Sequence, residues 1–179
     1  MRTHSDYQTG LNWNQIADIF RWAQQFSVVQ GVVAAAKTAF AMVLLGVATP
    51  LPAAVVGLVA FAVYTANDLA DLDEDAINCL DRSSFVAEHP VVVAAVAVAT
   101  LALGAGLAWW GGGPVALAVA LVPLAASLLY SLPVAPGGNR FKDVLAVNTA
   151  LVSLAWAVTV TGVPLAVAGQ PVGPIAIAE

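Results

Sequence analysis

Four oxygen-bearing side chains recur at helical spacing in YTANDLADLDEDAINCLDR, residues 64–82. Asn67, Asp71 and Asp75 stand at i, i+4 and i+8, and Asp68 joins Asp71 and Asp75 at i, i+3 and i+7. A helix through this stretch sets these groups on one side. Successive members then lie roughly 6 Å apart along the axis, and like charges at that spacing repel. A cation must compensate them. Mg²⁺ is the natural one, because it takes oxygen ligands, keeps some of its waters and is commonly held by one or two carboxylates together with the phosphates of a substrate. The nearest histidine is His89, beyond Arg82, so a transition-metal site is not indicated. Asp73, Glu74 and Asp81 of the same stretch fit a solvated loop.

A diphosphate needs cationic partners for its remaining oxygens, which Arg and Lys supply. A second polar island, LLYSLPVAPGGNRFKDVLAVN over residues 128–148, contains Arg140 and Lys142 between helix-breaking Pro and Gly residues. With Arg82 these are the candidate diphosphate ligands; their bland alternative is anchoring at lipid headgroups. Lys37 is a further candidate. It lies nine residues after Val28 within an apolar run, where a lone cation is costly and should face the bundle interior or a wet cavity. There it would pair with the acidic cluster or touch a phosphate; snorkelling is the alternative.

The elements that must position these groups are membrane helices. The chain is 60% hydrophobic and 9% charged, against roughly 45–50% apolar residues in a soluble domain. Runs 28–48, 90–110, 114–132 and 144–168 are near or above the roughly 18–20 residues that span a bilayer. A shorter run over 51–66 leads straight into the acidic stretch. We therefore expect an all-α polytopic bundle of about five transmembrane helices over residues 28–168. A cytoplasmic or interfacial segment over 1–27 precedes it, and a tail over 169–179 follows. Ile16, Ile19, Phe20, Ala23 and Phe26 at helical spacing suit an amphipathic helix at the headgroups. Asp6, Asp18 and Arg21 in the same stretch argue against a cleavable signal peptide.

If the spans alternate, Arg2, Arg21, Arg82, Arg140 and Lys142 share one side. The opposite turns, TPLP at 49–52 and WWGGGP at 109–114, carry no charge. The positive-inside tendency then predicts a multi-pass cell-membrane protein with its N-terminus and acidic motif in the cytoplasm. Cys79 is the sole cysteine, which excludes an intrachain disulfide and a Cys-based zinc site. No basic patch with interleaved aromatics suggests nucleic acid as a partner. The net charge of −5 and the Ala, Val and Asp bias with little Lys hint at a high-salt organism, a haloarchaeon.

Asn67-Asp68-x-x-Asp71-x-x-x-Asp75, with Asn78 and Asp81-Arg82 behind it, resembles the first aspartate-rich motif of the UbiA-type intramembrane prenyltransferases. That family carries NDxxDxxxD at the cytoplasmic end of its second helix. A Tyr-Ser-x-Pro segment with basic residues follows its fourth helix, as Tyr130-Ser131-Leu132-Pro133 and Arg140 to Lys142 do here. The resemblance implies that Asn67, Asp68, Asp71 and Asp75 hold Mg²⁺, with the three aspartates catalytic. It implies that Arg82, Tyr130, Arg140, Lys142 and Lys37 meet the diphosphate. The expected activity is transfer of a prenyl group from a polyprenyl diphosphate to an aromatic, small-molecule or lipid acceptor. Metal and cations would stabilise the leaving group by electrostatics, so no Ser-His or Cys-His pair is needed.

The likeness covers residues 28–168 but only the N-terminal half of a typical member, which has about nine helices and a second aspartate-rich motif. Leu80 also stands where the family often has Pro. The expectation is accordingly a truncated domain, with a split enzyme completed by a second chain, or a dimer that uses two copies of the first motif, as the other accounts of the missing half, and with turnover by this isolated chain not implied. The competing classes are a non-enzymatic membrane protein, such as a cation-binding transporter fragment, and a purely structural five-helix fragment. Transporters tend to carry ionisable groups near the middle of several spans, a pattern that only Lys37 fits here.

Overall fold

The computed structural model describes residues 27–70, 72, 85–131, 140–141 and 145–169. The amphipathic helix expected before Ser27 and most of the second polar island lie outside these residues. The described elements are α1 (Val28–Leu44), α2 (Leu51–Ala70), α3 (Pro90–Ala120), α4 (Val122–Ser131) and α5 (Leu145–Val167). No strand occurs among the described residues. Three helical stretches are long and apolar enough to cross a membrane: Leu51–Ala70, Pro90–Leu129 and Thr149–Val167, with the shorter apolar helix Val28–Leu44 beside them. The protein is an all-helical membrane bundle.

The stretch Pro90–Leu129 has 40 residues, about 60 Å of helix, which is twice the roughly 30 Å hydrocarbon thickness. It does not run straight. Gly113, at φ 65 and ψ −155, lies in a region that is essentially glycine-only, and the chain reverses there. A Cβ on Gly104 would meet Val59, Leu58 and Val55, and one on Gly111 would meet Leu51. The first arm of α3 therefore descends along α2. The return arm brings Ser127 back to Asn67, with a hydrogen bond of 2.6 Å between the side chains. The uncharged WWGGGP turn predicted from the sequence is this reversal, which divides the stretch into two of the apolar helical arms found among the described residues.

The expected spans shift at their ends for local reasons. α1 stops at Leu44 rather than continuing to residue 48 because Gly46, at φ 67, closes a Schellman cap. Val47 N–H donates to Met42 C=O at 2.9 Å and Gly46 N–H to Val43 C=O at 3.4 Å. α2 extends beyond residue 66 to Ala70, so Asn67 and Asp68 belong to the helix. The return arm bends at Leu121, where Pro123 cannot donate; the ladder still passes through Leu121 N–H to Leu117 and Ala125 N–H to Leu121, each at 3.0 Å.

Packing rests on small residues. Gly31 faces Gly57 and Phe61 across α1 and α2, with a hypothetical Cβ only 3.0 Å from the Gly57 carbonyl oxygen. In lipid, where apolar surface alone does not drive helices together, such close approach gains dispersion contacts. Val55, Val56, Val59, Ala60, Ala108, Ala116, Ala120 and Val163 form the buried core. Thr159 is buried without an orphaned hydroxyl because it donates to Ala155 C=O at 2.8 Å and to Val119 C=O on the neighbouring arm at 3.3 Å. Phe40, Val43, Val91, Val98, Trp109 and Trp110 face outward. That surface is suited to lipid rather than water.

Candidate functional site

The polar end of α2 is fastened from two sides. Asp68 is 8% exposed and its Oδ2 accepts a hydrogen bond of 2.7 Å from Ser27 Oγ. Ser27 is itself fully buried and holds a left-handed backbone, φ 54 and ψ 12, at the start of α1. Its hydroxyl makes no capping bond to that helix; it serves Asp68 instead. Left-handed geometry in a residue with a Cβ costs about 1–2 kcal/mol, and the surrounding packing sustains it. Asn67 Oδ1 accepts the Ser127 hydroxyl. The two adjacent side chains, about 100° apart on a helix of 3.6 residues per turn, thus address different neighbours.

One turn before Asp68, Thr65 is 6% exposed and its Oγ1 has no hydrogen-bond partner among the described residues. Thr65 and Asp68 line a pocket of about 100 Å³ against Phe85, Val86, Val93 and Val96. The donors at this end of α2 are amide, carboxylate and hydroxyl oxygens, one of them orphaned. Because Asn67 and Asp68 turn to Ser127 and Ser27 respectively, these oxygens do not converge on one point. Among the described residues no group of three or more His, Cys, Asp or Glu side chains gathers. Asp71, Asp75, Arg82 and Lys142 lie outside the described residues, as does the Tyr130 side chain. Arg140 is half-buried and engaged in a contact of its own.

Two cavities open beside this end. The larger, about 600 Å³, lies between α1 and α5 with Tyr64 of α2 at its back. Gln30, Val33, Lys37, Ser153 and Val160 are among its walls. The smaller, about 230 Å³, reaches Asn67 and Ser127. Tyr64 and Trp156 line both, with their rings stacked at 5.9 Å between centroids and an interplanar angle of 0°. Tyr64 and Trp156 thereby form a wall shared by the cavity at Asn67 and the cavity at the side of the bundle. The larger cavity's volume falls in the roughly 300–1,000 Å³ range of small-molecule sites.

Lys37 does not reach Asp68. It lies ten residues beyond Ser27 on α1, about 15 Å along the axis, while Ser27 is the residue that touches Asp68. This separation exceeds what a four-carbon side chain spans, so the expected pairing with the acidic cluster is not made at Asp68. Instead Lys37 is exposed and lines the far part of the larger cavity. Residues not singled out from sequence also belong here: Ser27, Gln30, Tyr64, Ser127 and Trp156. Gln30 and Lys37, at i and i+7 on α1, are the longest polar side chains of that helix; that spacing was the one signal in the sequence for a polar stripe.

No family model matches the chain, and no curated protein or solved structure matches it.

Proposed function

We propose that this membrane protein binds a polyprenyl diphosphate at the polar end of α2 and belongs to the chemistry of UbiA-type prenyl transfer. The observation that carries the proposal is the pair of cavities on either side of the shared Tyr64–Trp156 wall, one reaching Asn67 and the other opening at the bundle's side. A polyprenyl diphosphate is a charged head on a long apolar tail. It needs oxygen-ligated metal and cations at one end and a lipid-accessible groove leading away from them. Asp68, Asp71 and Asp75, at i, i+3 and i+7, would hold Mg²⁺ with Thr65 on the same side, Asn67 joining them only if it leaves Ser127, and bound Mg²⁺ would neutralise charge developing on the leaving diphosphate. Arg82, Arg140, Lys142 and Tyr130 are the proposed partners for the remaining diphosphate oxygens.

The chain's own residues would then orient and shield the reacting end. Ser27 and Ser127 fix the rotamers of Asp68 and Asn67 through their hydrogen bonds. Tyr64 and Trp156 offer aromatic faces to a carbon that becomes positive as its bond to the diphosphate breaks, an attraction of the cation–π kind. The apolar walls exclude water, which would otherwise capture that carbon. We place this end of the bundle on the cytoplasmic side, where Arg140 and the other cations favour it. The acceptor is an aromatic, small-molecule or lipid nucleophile.

The test is Mg²⁺-dependent binding of a geranylgeranyl diphosphate analogue to the purified chain in detergent. An Asp71→Ala, Asp75→Ala double variant is measured beside it. Binding that requires both Mg²⁺ and the two carboxylates supports the proposal; equal binding by the double variant, or none by the folded chain, refutes it.

A further inference from the structure

Lys37 has a position that prenyl diphosphate binding leaves unused. It projects from the interior of an apolar helix, it is exposed and lines the cavity between α1 and α5, and it forms no hydrogen bond or ion pair with another described residue. Side chains on a helix lean toward its N-terminus, so Lys37 is directed along the cleft toward Val33 and Ala34 rather than outward past Leu44. Among the described residues no acidic side chain lines that cleft; its walls combine Val29, Val33, Ala157 and Val160 with the uncharged polar Gln30 and Ser153. An ammonium in such surroundings is costly unless an anion meets it.

We infer that the cleft between α1 and α5 is a binding site for a long-chain carboxylate, with the carboxylate on Lys37 and the chain along the valine wall toward Trp156. Charge complementarity selects the head. A single ammonium balances a single negative charge, whereas a phosphate dianion would leave uncompensated charge in an apolar cavity. Apolar walls and an opening between two helices select the tail, which can enter sideways from the bilayer. The site needs no metal, and its chain would occupy the same cavity that the prenyl tail of the proposed function enters, so the two ligands compete there.

Trp156 reports on occupancy. The experiment uses the full chain with Trp13, Trp22, Trp109 and Trp110 replaced by Phe, so that Trp156 is the sole indole. It is titrated with dibromostearate in nanodiscs of neutral lipid, and quenching is compared with that by the methyl ester of the same acid. The expected result is saturable quenching by the acid, with the uncharged ester weaker by roughly tenfold or more, the scale of one lost charge-assisted bond. Lys37→Gln should bring the acid down to the level of the ester, and Lys37→Arg should retain it. Equal quenching by acid and ester in the protein that keeps Lys37 would overturn the inference, as would unchanged quenching in Lys37→Gln. Because the ester comparison needs no change at Lys37, a misfolded variant cannot mimic either outcome. Quenching without Mg²⁺ separates this site from diphosphate binding.

Discussion

Replacing Ser27 tests the tie between α1 and the acidic end of α2. Two effects meet at this residue and have opposite signs in two different variants. Ser27→Ala removes the 2.7 Å bond to Asp68 Oδ2 but keeps the left-handed strain, since alanine also carries a Cβ. Hydrogen bonds between membrane helices average about 0.6 kcal/mol in double-mutant cycles, and bonds to charged groups about 1.5–3 kcal/mol. With both partners buried and a carboxylate as acceptor, a loss of about 1–2 kcal/mol is expected. Ser27→Gly removes the same bond but relieves about 1 kcal/mol of strain at φ 54. Glycine should therefore be less destabilising than alanine by about that amount. Reversible SDS unfolding in mixed micelles measures both, and adding Asp68→Asn to each variant isolates the pairwise coupling. Coupling near zero, or Ser27→Gly no more stable than Ser27→Ala, would refute the role assigned to this serine.

Gly104→Leu should lower stability by about 1–3 kcal/mol in the same unfolding assay, as overpacking does, since even a Cβ there meets Val59 at 3.1 Å. Gly106→Leu, two residues on with nothing within 4 Å of its Cβ position, should change it by less than about 0.5 kcal/mol. Gly113→Ala should cost about 1–3 kcal/mol because its backbone region excludes a Cβ, although open space surrounds it; a neutral result would mean that the reversal relaxes to another turn. Trp156→Ala should weaken binding of the geranylgeranyl diphosphate analogue by roughly tenfold, as loss of an aromatic wall does, and unchanged affinity would remove the aromatic pair from the site.

What the sequence made legible follows from how membrane helices are built. Lengths of apolar runs and the glycines at 111–113 marked the arms and their reversal, because spanning and turning are local demands. Asn67 and Asp68 were visible as polar groups running on from an apolar helix without a linker. Partners were not visible. Helices such as α3 and α5 are apolar all the way round, so no periodicity says which face meets a neighbour. Trp156 thus could not be told from Trp109 or Trp110, although the first lines the cleft and the others face outward. The links of Ser27 to Asp68 and Ser127 to Asn67 join residues 41 and 60 positions apart, and nothing local announces them. Lys37 was recognisable as out of place, but its distance from Asp68 depends on how α1 crosses α2 at Gly31 and Gly57.

The reversal at Gly113 also bears on how the protein enters its membrane. The two arms of residues 90–131 are joined by a turn of glycines and one proline, with two tryptophans beside it and no charged side chain. The turn between α1 and α2 is likewise uncharged. Moving a charge through hydrocarbon is the costly part of insertion, about 2.5–3.5 kcal/mol per Asp, Lys or Arg at mid-bilayer on insertion scales. The hairpin of residues 90–131 can therefore cross as one unit, closed end first, without dragging any ion through the bilayer, whereas the α1–α2 hairpin takes Lys37 into the hydrocarbon. The indoles of Trp109 and Trp110 are then left to settle at the far interface and hold the closed end there.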